Sequence, residues 1–153
     1  MITNEVQYRT TKAHLAKFRD AIANLERDPT EEVRAGRLRA LEMGALRSQA
    51  ADLETEVDEY EMLRSGRQTT FEASSLAELA GALVKARIAK GWTQLQLAEA
   101  LGVAVQQIQR YEATEYTAAS LARLCDVADA LGTEVRETVT LRAHAGSDCA
   151  LMV

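Results

Sequence analysis

The chain has 153 residues, 47% of them hydrophobic and 5% aromatic, which suits one helical domain or a small domain with an appendage. Its formal net charge of −5 at pH 7 argues against a general nucleic-acid coat protein, although a site-specific DNA binder needs only a local basic or polar face. No apolar run approaches the ~20 residues of a membrane span, and the N-terminal residues lack the basic start and apolar stretch of a signal peptide, so we expect a cytoplasmic protein with no membrane partner.

The first predicted element is an amphipathic helix that ends near Arg27. Its apolar positions recur at spacings of three and four, which places them in one stripe along a helix. The stripe consists of Tyr8, Thr11, Leu15, Phe18, Ile22 and Leu25. The sequence from Asp28 to Glu31 then predicts the start of a second helix, because Asp28 can cap it and Pro29 suits the first helical position.

A long second helix is predicted from this restart to about Arg64. Its apolar stripe repeats the same spacing, at Met43, Leu46, Ala50, Leu53, Val57 and Tyr60. Two amphipathic helices joined by a short loop predict an antiparallel hairpin. Such a hairpin has too little core to be stable alone, so it is interpreted either as a dimerisation hairpin or as a docking surface for a protein partner. The two interpretations can coexist.

The following elements contain a helix-turn-helix pattern. A helix is predicted from Leu76, and Thr93 can cap the next one. Gly102 stands where the end of that helix needs a left-handed residue, and another helix follows at about 104–113. Two short helices joined by a turn that contains glycine are typical of this motif, whose second helix can lie in the major groove of DNA.

Residues 83–132 resemble the Cro/C1 (XRE) family of helix-turn-helix repressor domains. The signature positions keep the family's spacing without a gap: Arg87, Gly91, Trp92, Thr93, Gln94, Leu97, Ala98, Leu101, Gly102, Val103, Ile108, Tyr111 and Glu112. A closing helix follows and ends at Gly132, as the family pattern requires. The resemblance therefore implies a lambda-repressor-like domain of five helices that binds double-stranded DNA.

The resemblance also implies roles for single residues. Gln94 begins the second helix of the motif, where the family contacts a phosphate and braces the recognition helix. Glutamine can pair with adenine in the major groove and arginine with guanine, each worth about 1–3 kcal/mol of discrimination. The expected DNA-binding residues are Thr93, Gln94, Val105, Gln106, Gln107, Gln109 and Arg110.

Arg87 and Glu112 match a family pair that forms a partly buried salt bridge, so their implied role is structural. The chain departs from the family pattern at Val105, where relatives often have a polar reader, and at Ala104, which replaces the usual Ser/Thr cap. From Leu76 to Leu131 the sequence has five basic and six acidic residues. We therefore expect weak DNA binding by one domain and a homodimer on a palindromic operator.

The last predicted element is a short β-strand. Apolar and polar residues alternate over 133–142, and pairing with a second copy is the simplest way to complete such a strand. The predicted fold class is all-α, with an N-terminal helical hairpin, the five-helix domain and this C-terminal strand. The expected domain bounds are 1–66 for the hairpin, 67–74 for a linker, 75–132 for the helix-turn-helix domain, 133–142 for the strand and 143–153 for a flexible tail.

Side chains that could carry catalysis or bind a metal form no recognisable pattern. Cys125 and Cys149 lack metal-ligand or redox spacing, and Cys125 falls on an apolar helix face where a buried thiol is expected. His14 and His144 lie on unrelated segments without a nucleophile or phosphate-binding loop nearby. We expect no enzymatic activity, no cofactor and no metal.

The leading functional prediction is a sequence-specific DNA-binding transcriptional regulator that acts as a repressor. Long N-terminal helices before the DNA-binding domain resemble the layout of HigA-like antitoxin regulators, which implies a toxin protein as a further partner and autoregulation of the operon. The alternatives are a plain repressor of the same family without a toxin, and a helical interaction module that no longer binds DNA.

Overall fold

The structure, a computed structural model, describes residues 1–27, 33–116, 119–138 and 140–141. These residues form six helices and no strand, which confirms the all-α class. The helices are α1 (Glu5–Arg27), α2 (Val33–Arg64), α3 (Leu76–Ala89), α4 (Gln94–Leu101), α5 (Val105–Ala113) and α6 (Leu121–Leu131). No helix within the described ranges combines the length and the apolar character that a membrane crossing requires.

Helices α1 and α2 lie antiparallel along their predicted apolar stripes, whose side chains are all buried or half-buried. The direction follows from three exposed ion pairs, in which residue numbers rise along α1 and fall along α2. They join Lys12 to Glu61 at 3.2 Å, Arg19 to Glu54 at 2.6 Å and Glu26 to Arg47 at 2.8 Å. Exposed pairs of this kind contribute about 0–1 kcal/mol each, so the apolar stripes supply most of the stabilisation.

The end of α2 packs against α3, and there the hairpin shares one hydrophobic core with helices α3–α6. Val57, Tyr60 and Leu63 of α2 are buried in the same cluster as Leu83 and Val84 of α3. An ion pair between Glu59 and Lys85, at 2.7 Å, lies beside this contact. The inner end of the hairpin is therefore packed into the structure that carries the helix-turn-helix pattern.

We call helices α3–α6 (residues 76–131) the reading head. Leu97, Ile108 and Val127, from α4, α5 and α6, are fully excluded from solvent at its centre. Gly102 and Gly132 end α4 and α6 with φ values of 64° and 66°, a conformation that glycine adopts without a steric penalty.

The structure corrects two predictions about the C-terminal part. Four helices, not five, occur among the described residues of 75–132; Gly132 ends the last of them, and residues 133–138 beyond that range add no further helix. The predicted strand is also absent from 133–138 and 140–141. A strand needs a partner for its backbone hydrogen bonds, and no other strand exists among the described residues. Pairing with a second copy stays a prediction, and Val139, Arg142 and the 143–153 tail lie outside the described residues.

Three leucines of α3, α4 and α6 are exposed, and so is Cys125, which was expected to be buried. Leu76, Leu95 and Leu121 are 58%, 53% and 58% exposed, and each lies in the first turn of its helix. A helical side chain covers the turn that precedes its own Cα, so at the first turn it extends past the edge of the core. Cys125 is exposed because α6 turns the neighbouring Leu124 and Val127 inward.

Candidate nucleic-acid interface

Local interactions fix the geometry of the α4–turn–α5 unit. The Thr93 hydroxyl accepts a hydrogen bond from the Gln96 backbone N–H at 3.2 Å, and the Gln96 side chain accepts one from the Thr93 N–H at 2.8 Å. This capping box begins α4. After Gly102, the Val103 N–H bonds to the Ala98 carbonyl at 3.0 Å, so α5 begins in a defined direction. Helix α5 itself lacks a side-chain cap at Ala104.

The exposed face of α5 carries Gln106, Gln109 and Arg110. These residues are three and four positions apart and therefore lie on one face of the helix. Their side chains make no hydrogen bond or ion pair to other described residues, so their polar groups are available to a ligand. The opposite face is fixed by Ile108, which is fully buried, and by Glu112, which is 2% exposed.

Two other predicted readers on α5 are less accessible. Val105 is half-buried. Gln107 is also half-buried, and its Nε2 donates to the Tyr111 hydroxyl at 2.7 Å. The structure therefore brings Gln106, Gln109 and Arg110 together on the exposed surface and turns Gln107 towards the protein.

The predicted residues at the start of α4 differ in exposure. Thr93 is exposed, whereas Gln94 is only 8% exposed and its Nε2 donates to Glu112 Oε2 at 2.8 Å. The Gln94 side chain thus braces α5 from inside. Any phosphate contact at this position would use backbone N–H groups of the first turn, which favour an anion.

Arg87 is the centre of a buried hydrogen-bond network. Its Nε and Nη2 donate to the two carboxylate oxygens of Glu112 at 2.5 and 2.7 Å, which is a bidentate ion pair. Nη1 donates to the Trp92 carbonyl at 2.6 Å, and Nη2 also donates to the Thr3 carbonyl at 2.7 Å. The guanidinium therefore ties α5, the turn before α4 and the N-terminal segment (residues 1–7) to α3.

The hydrogen bond from Arg87 to the Thr3 carbonyl was not predicted from the sequence. Ile2 and Thr3 are 3% and 8% exposed, so the N-terminal segment is part of the core rather than a loose end. No sequence signal distinguishes a buried Ile-Thr pair at the start of a chain from an exposed one, because the burial depends on a partner 84 residues away.

A groove of about 850 Å³ runs between the N-terminal segment and the reading head. One wall carries Glu5 and Val6 of α1 and Arg64 of α2, and the other carries Thr93, Val105 and Gln109 of the predicted DNA-binding surface. The inner end of the hairpin therefore lies beside the residues that would meet DNA. Among the described residues, no group of three metal-ligating side chains occurs.

Most of the positive charge in the reading head is already engaged within the protein. Four of its five basic side chains have partners: Lys85 bonds to Glu59, Arg87 to Glu112, Lys90 to the Leu131 carbonyl and Arg123 to Asp126. Lys90 Nζ also lies 4.2 Å from the centroid of the Trp92 ring. Within the described part of the head, Arg110 alone is left for a phosphate or a base.

Two tyrosines hold the C-terminal end of α5. Tyr111 and Tyr116 stack with ring centroids 5.6 Å apart, and the Tyr116 backbone has a φ of 57°. Tyr116 is 3% exposed, and its hydroxyl has no hydrogen-bond partner among the described residues. Burial raises the pKa of Tyr116 above its usual value, since the charged phenolate would lose its hydration.

Comparison with known families gives one finding. Residues 83–137 match a family model described as helix-turn-helix, which spans the second half of α3 and all of α4, α5 and α6. The match supports a Cro/C1-type domain and a role in DNA-binding transcription regulation. No curated protein and no solved structure matches the chain.

Proposed function

We propose that this protein is a sequence-specific transcriptional repressor that reads double-stranded DNA with α5. The observation that carries the proposal is the row formed by Gln106, Gln109 and Arg110, exposed on one face of a helix whose other face is fixed in the core. Glutamine and arginine present the donors and acceptors that discriminate base pairs in the major groove. Specific readout needs such side chains on a rigid element, since a mobile one would lose discrimination.

The repressor acts as a homodimer on a palindromic operator. Among the described residues of one reading head, Arg110 is the single unengaged basic side chain, whereas phosphate neutralisation supplies much of the affinity of DNA-binding proteins. Two heads on one duplex double the contacts and place the recognition helices about one helical turn apart. A two-fold symmetric protein then matches a two-fold symmetric site.

The repressor is also the antitoxin of a toxin–antitoxin pair that represses its own operon. The support comes from the outer hairpin (residues 16–27 and 33–47). Leu38 and Leu41 are each 69% exposed, and they lie three residues apart on one face of α2. Leu38 is 22 residues from Tyr60, which corresponds to about 33 Å along a helix. An apolar helix face this far from the DNA-reading surface suits a protein partner.

Two other candidates have their own support. A plain repressor without a toxin would use Leu38 and Leu41 only to pair with its own copy. A helical interaction module without DNA binding would fit the small number of unengaged cations and the half-buried Val105.

Selection of duplexes from a random pool, followed by binding measurements at several salt concentrations, tests the DNA-binding proposal. Gln106→Ala should weaken binding to the selected duplex by about 1–3 kcal/mol and leave binding to unrelated duplexes unchanged. Gln49→Ala is the matched control, because Gln49 is an exposed glutamine on α2. Equal and weak binding of the wild type to every duplex would favour the interaction module.

Co-expression with the product of the neighbouring gene tests the antitoxin proposal. We expect that product to inhibit growth alone and to be neutralised by this chain. The double variant Leu38→Glu and Leu41→Glu should lose neutralisation while it keeps DNA binding, since both side chains are exposed and distant from α5. A neighbour that does not inhibit growth would leave the plain repressor.

A further inference from the structure

We infer that Arg64, at the C-terminal end of α2, contacts the DNA backbone next to the recognition helix, and that Glu5 holds it in the free protein. The inference rests on the proposed DNA-binding function. It extends the interface from the reading head to the inner end of the hairpin, a region outside the matched residues 83–137.

The first observation is the position of Arg64 beside the predicted DNA-binding surface. Arg64 lines the same groove as Thr93, Val105 and Gln109. A helix in the major groove is flanked by the phosphates of both strands, since the groove is only about 12 Å wide. A duplex read by α5 would therefore bring one phosphate backbone to the edge of this helix. The groove beside Val105 and Gln109 lies along that edge, and Arg64 stands on its far wall.

The interactions of Arg64 show that it can change partner. Its Nη1 donates to Glu5 Oε2 at 2.9 Å, and its side chain is 49% exposed. The guanidinium carbon also lies 5.6 and 5.8 Å from the ring centroids of Tyr8 and Tyr60, which hold the side chain beside the groove. An exposed ion pair is weak, whereas a planar guanidinium binds phosphate through two parallel hydrogen bonds. Exchange of the carboxylate for a phosphate is therefore favourable.

Glu5 disfavours binding of the DNA backbone until Arg64 has exchanged its carboxylate partner for a phosphate. Its carboxylate lies in the groove wall and would repel a phosphate that approaches Arg64. Arg9 Nε donates to the other oxygen of Glu5 at 3.2 Å, so Glu5 keeps one cationic partner after Arg64 has moved to the DNA. With Arg64 included, two cations near α5 become available to DNA among the described residues of each chain, instead of Arg110 alone.

The two ends of the hairpin would then have different functions, with DNA contact at the inner end and a protein partner at the outer end. A protein that covered the inner end, at Glu5 and Arg64, would compete with DNA. A protein bound at Leu38 and Leu41 would leave this groove open, because those residues are about 35–39 Å from Arg64 along α2.

Fluorescence anisotropy with a labelled duplex of fixed arbitrary sequence, measured over a range of salt concentrations, tests the inference on the full chain. Arg64→Ala should reduce the slope of log K against log salt by about 0.9 for each phosphate that the variant no longer neutralises. Arg64→Lys should restore the slope, since it keeps the charge. Arg47→Ala is the matched control, because Arg47 is an exposed arginine on α2 that also bonds to a glutamate, Glu26, at 2.8 Å.

Glu5→Gln supplies a test that leaves Arg64 intact. It should raise affinity for the same duplex several-fold at low salt, whereas Glu54→Gln, which removes the partner of Arg19, should not. A wild-type slope for Arg64→Ala together with no gain for Glu5→Gln would overturn the inference and leave the proposed function standing. Should Arg64→Ala fail to fold, the absence of a gain for Glu5→Gln alone would overturn it. Absence of wild-type binding to any duplex would instead overturn the proposed function.

Discussion

The reading head is held together by fully buried side chains, whereas the apolar stripes of the outer hairpin are only half-buried. In the head, Leu97 and Ile108 are fully buried and Arg87 pairs with Glu112 out of contact with solvent. In the outer hairpin, both members of the Arg47–Glu26 pair are more than half exposed, and Leu38 is 69% exposed. The head therefore presents α5 in one fixed geometry, and the outer hairpin has exposed apolar side chains that the proposed partner would cover.

Because the head depends on its buried contacts, we expect the largest loss of stability from Arg87→Ala. The variant would leave the Glu112 carboxylate buried without its bidentate partner, and removal of one partner from a buried pair costs about 3–5 kcal/mol. The Trp92 and Thr3 carbonyls would also be left without their donor. Chemical denaturation should show this decrease in the free energy of unfolding.

Arg123→Ala is the control for that measurement. Arg123 forms an ion pair with Asp126 at 3.2 Å, and the Asp126 side chain is 55% exposed. Its removal should change the free energy of unfolding by less than about 1 kcal/mol. Similar losses for Arg87→Ala and Arg123→Ala would contradict a buried network at the centre of the head.

The same substitution should have opposite effects at two glycines. Gly102 has a φ of 64°, so Gly102→Ala would force alanine into the left-handed region and cost about 1–2 kcal/mol. Gly44 lies inside the exposed part of α2, and a Cβ there would meet nothing within 4 Å. Gly44→Ala should therefore stabilise the hairpin by up to about 1 kcal/mol. Thermal unfolding of both variants checks the signs, and two changes of equal sign would contradict the assignment.

Local signals in the sequence were enough to predict α4 and α5 within the reading head. Thr93 and Gly102 mark the bounds of α4 through their own backbone preferences, and the apolar spacing around Ile108 predicts which side of α5 is buried. These effects act within a few residues, so they can be read from a short stretch. The same holds for the two stripes that place α1 against α2.

Features that depend on distant partners could not be predicted in the same way. The burial of Thr3 depends on Arg87, and the groove at Arg64 depends on how α2 packs against α3. The exposure of Cys125 depends on a rotation of α6 that a count of apolar residues does not resolve. The predicted strand had the right alternation, but strand formation needs a second segment, and none lies in the described part of this single chain.

Tyr116 offers a smaller test of how tightly the head is packed. Its buried hydroxyl has no partner among the described residues, and burial of an unsatisfied polar group is unfavourable. Tyr116→Phe should therefore raise the free energy of unfolding by about 1 kcal/mol. Tyr111→Phe is the control, because it removes the acceptor of the Gln107 side chain and should not stabilise the protein. A decrease in stability for Tyr116→Phe would show that the hydroxyl has a partner.

The smallest expected effect concerns the hairpin in acid. The Tyr8 hydroxyl donates to Glu61 at 2.5 Å and Lys12 Nζ donates to it at 3.2 Å, and these bonds lower the pKa of Glu61 below its usual value near 4.5. A carboxylate with a lowered pKa stabilises the folded state above the pKa of the unfolded chain, and this contribution is lost as the pH falls through the folded pKa. Wild-type stability should therefore fall more steeply below pH 4.5 than that of Glu61→Gln, as thermal unfolding at several pH values would measure.

Glu54→Gln removes an exposed glutamate of the same helix and serves as the control. Identical acid profiles for the wild type and Glu61→Gln would mean that the Tyr8–Lys12–Glu61 interactions add nothing measurable to the support that the apolar stripes give the hairpin in solution.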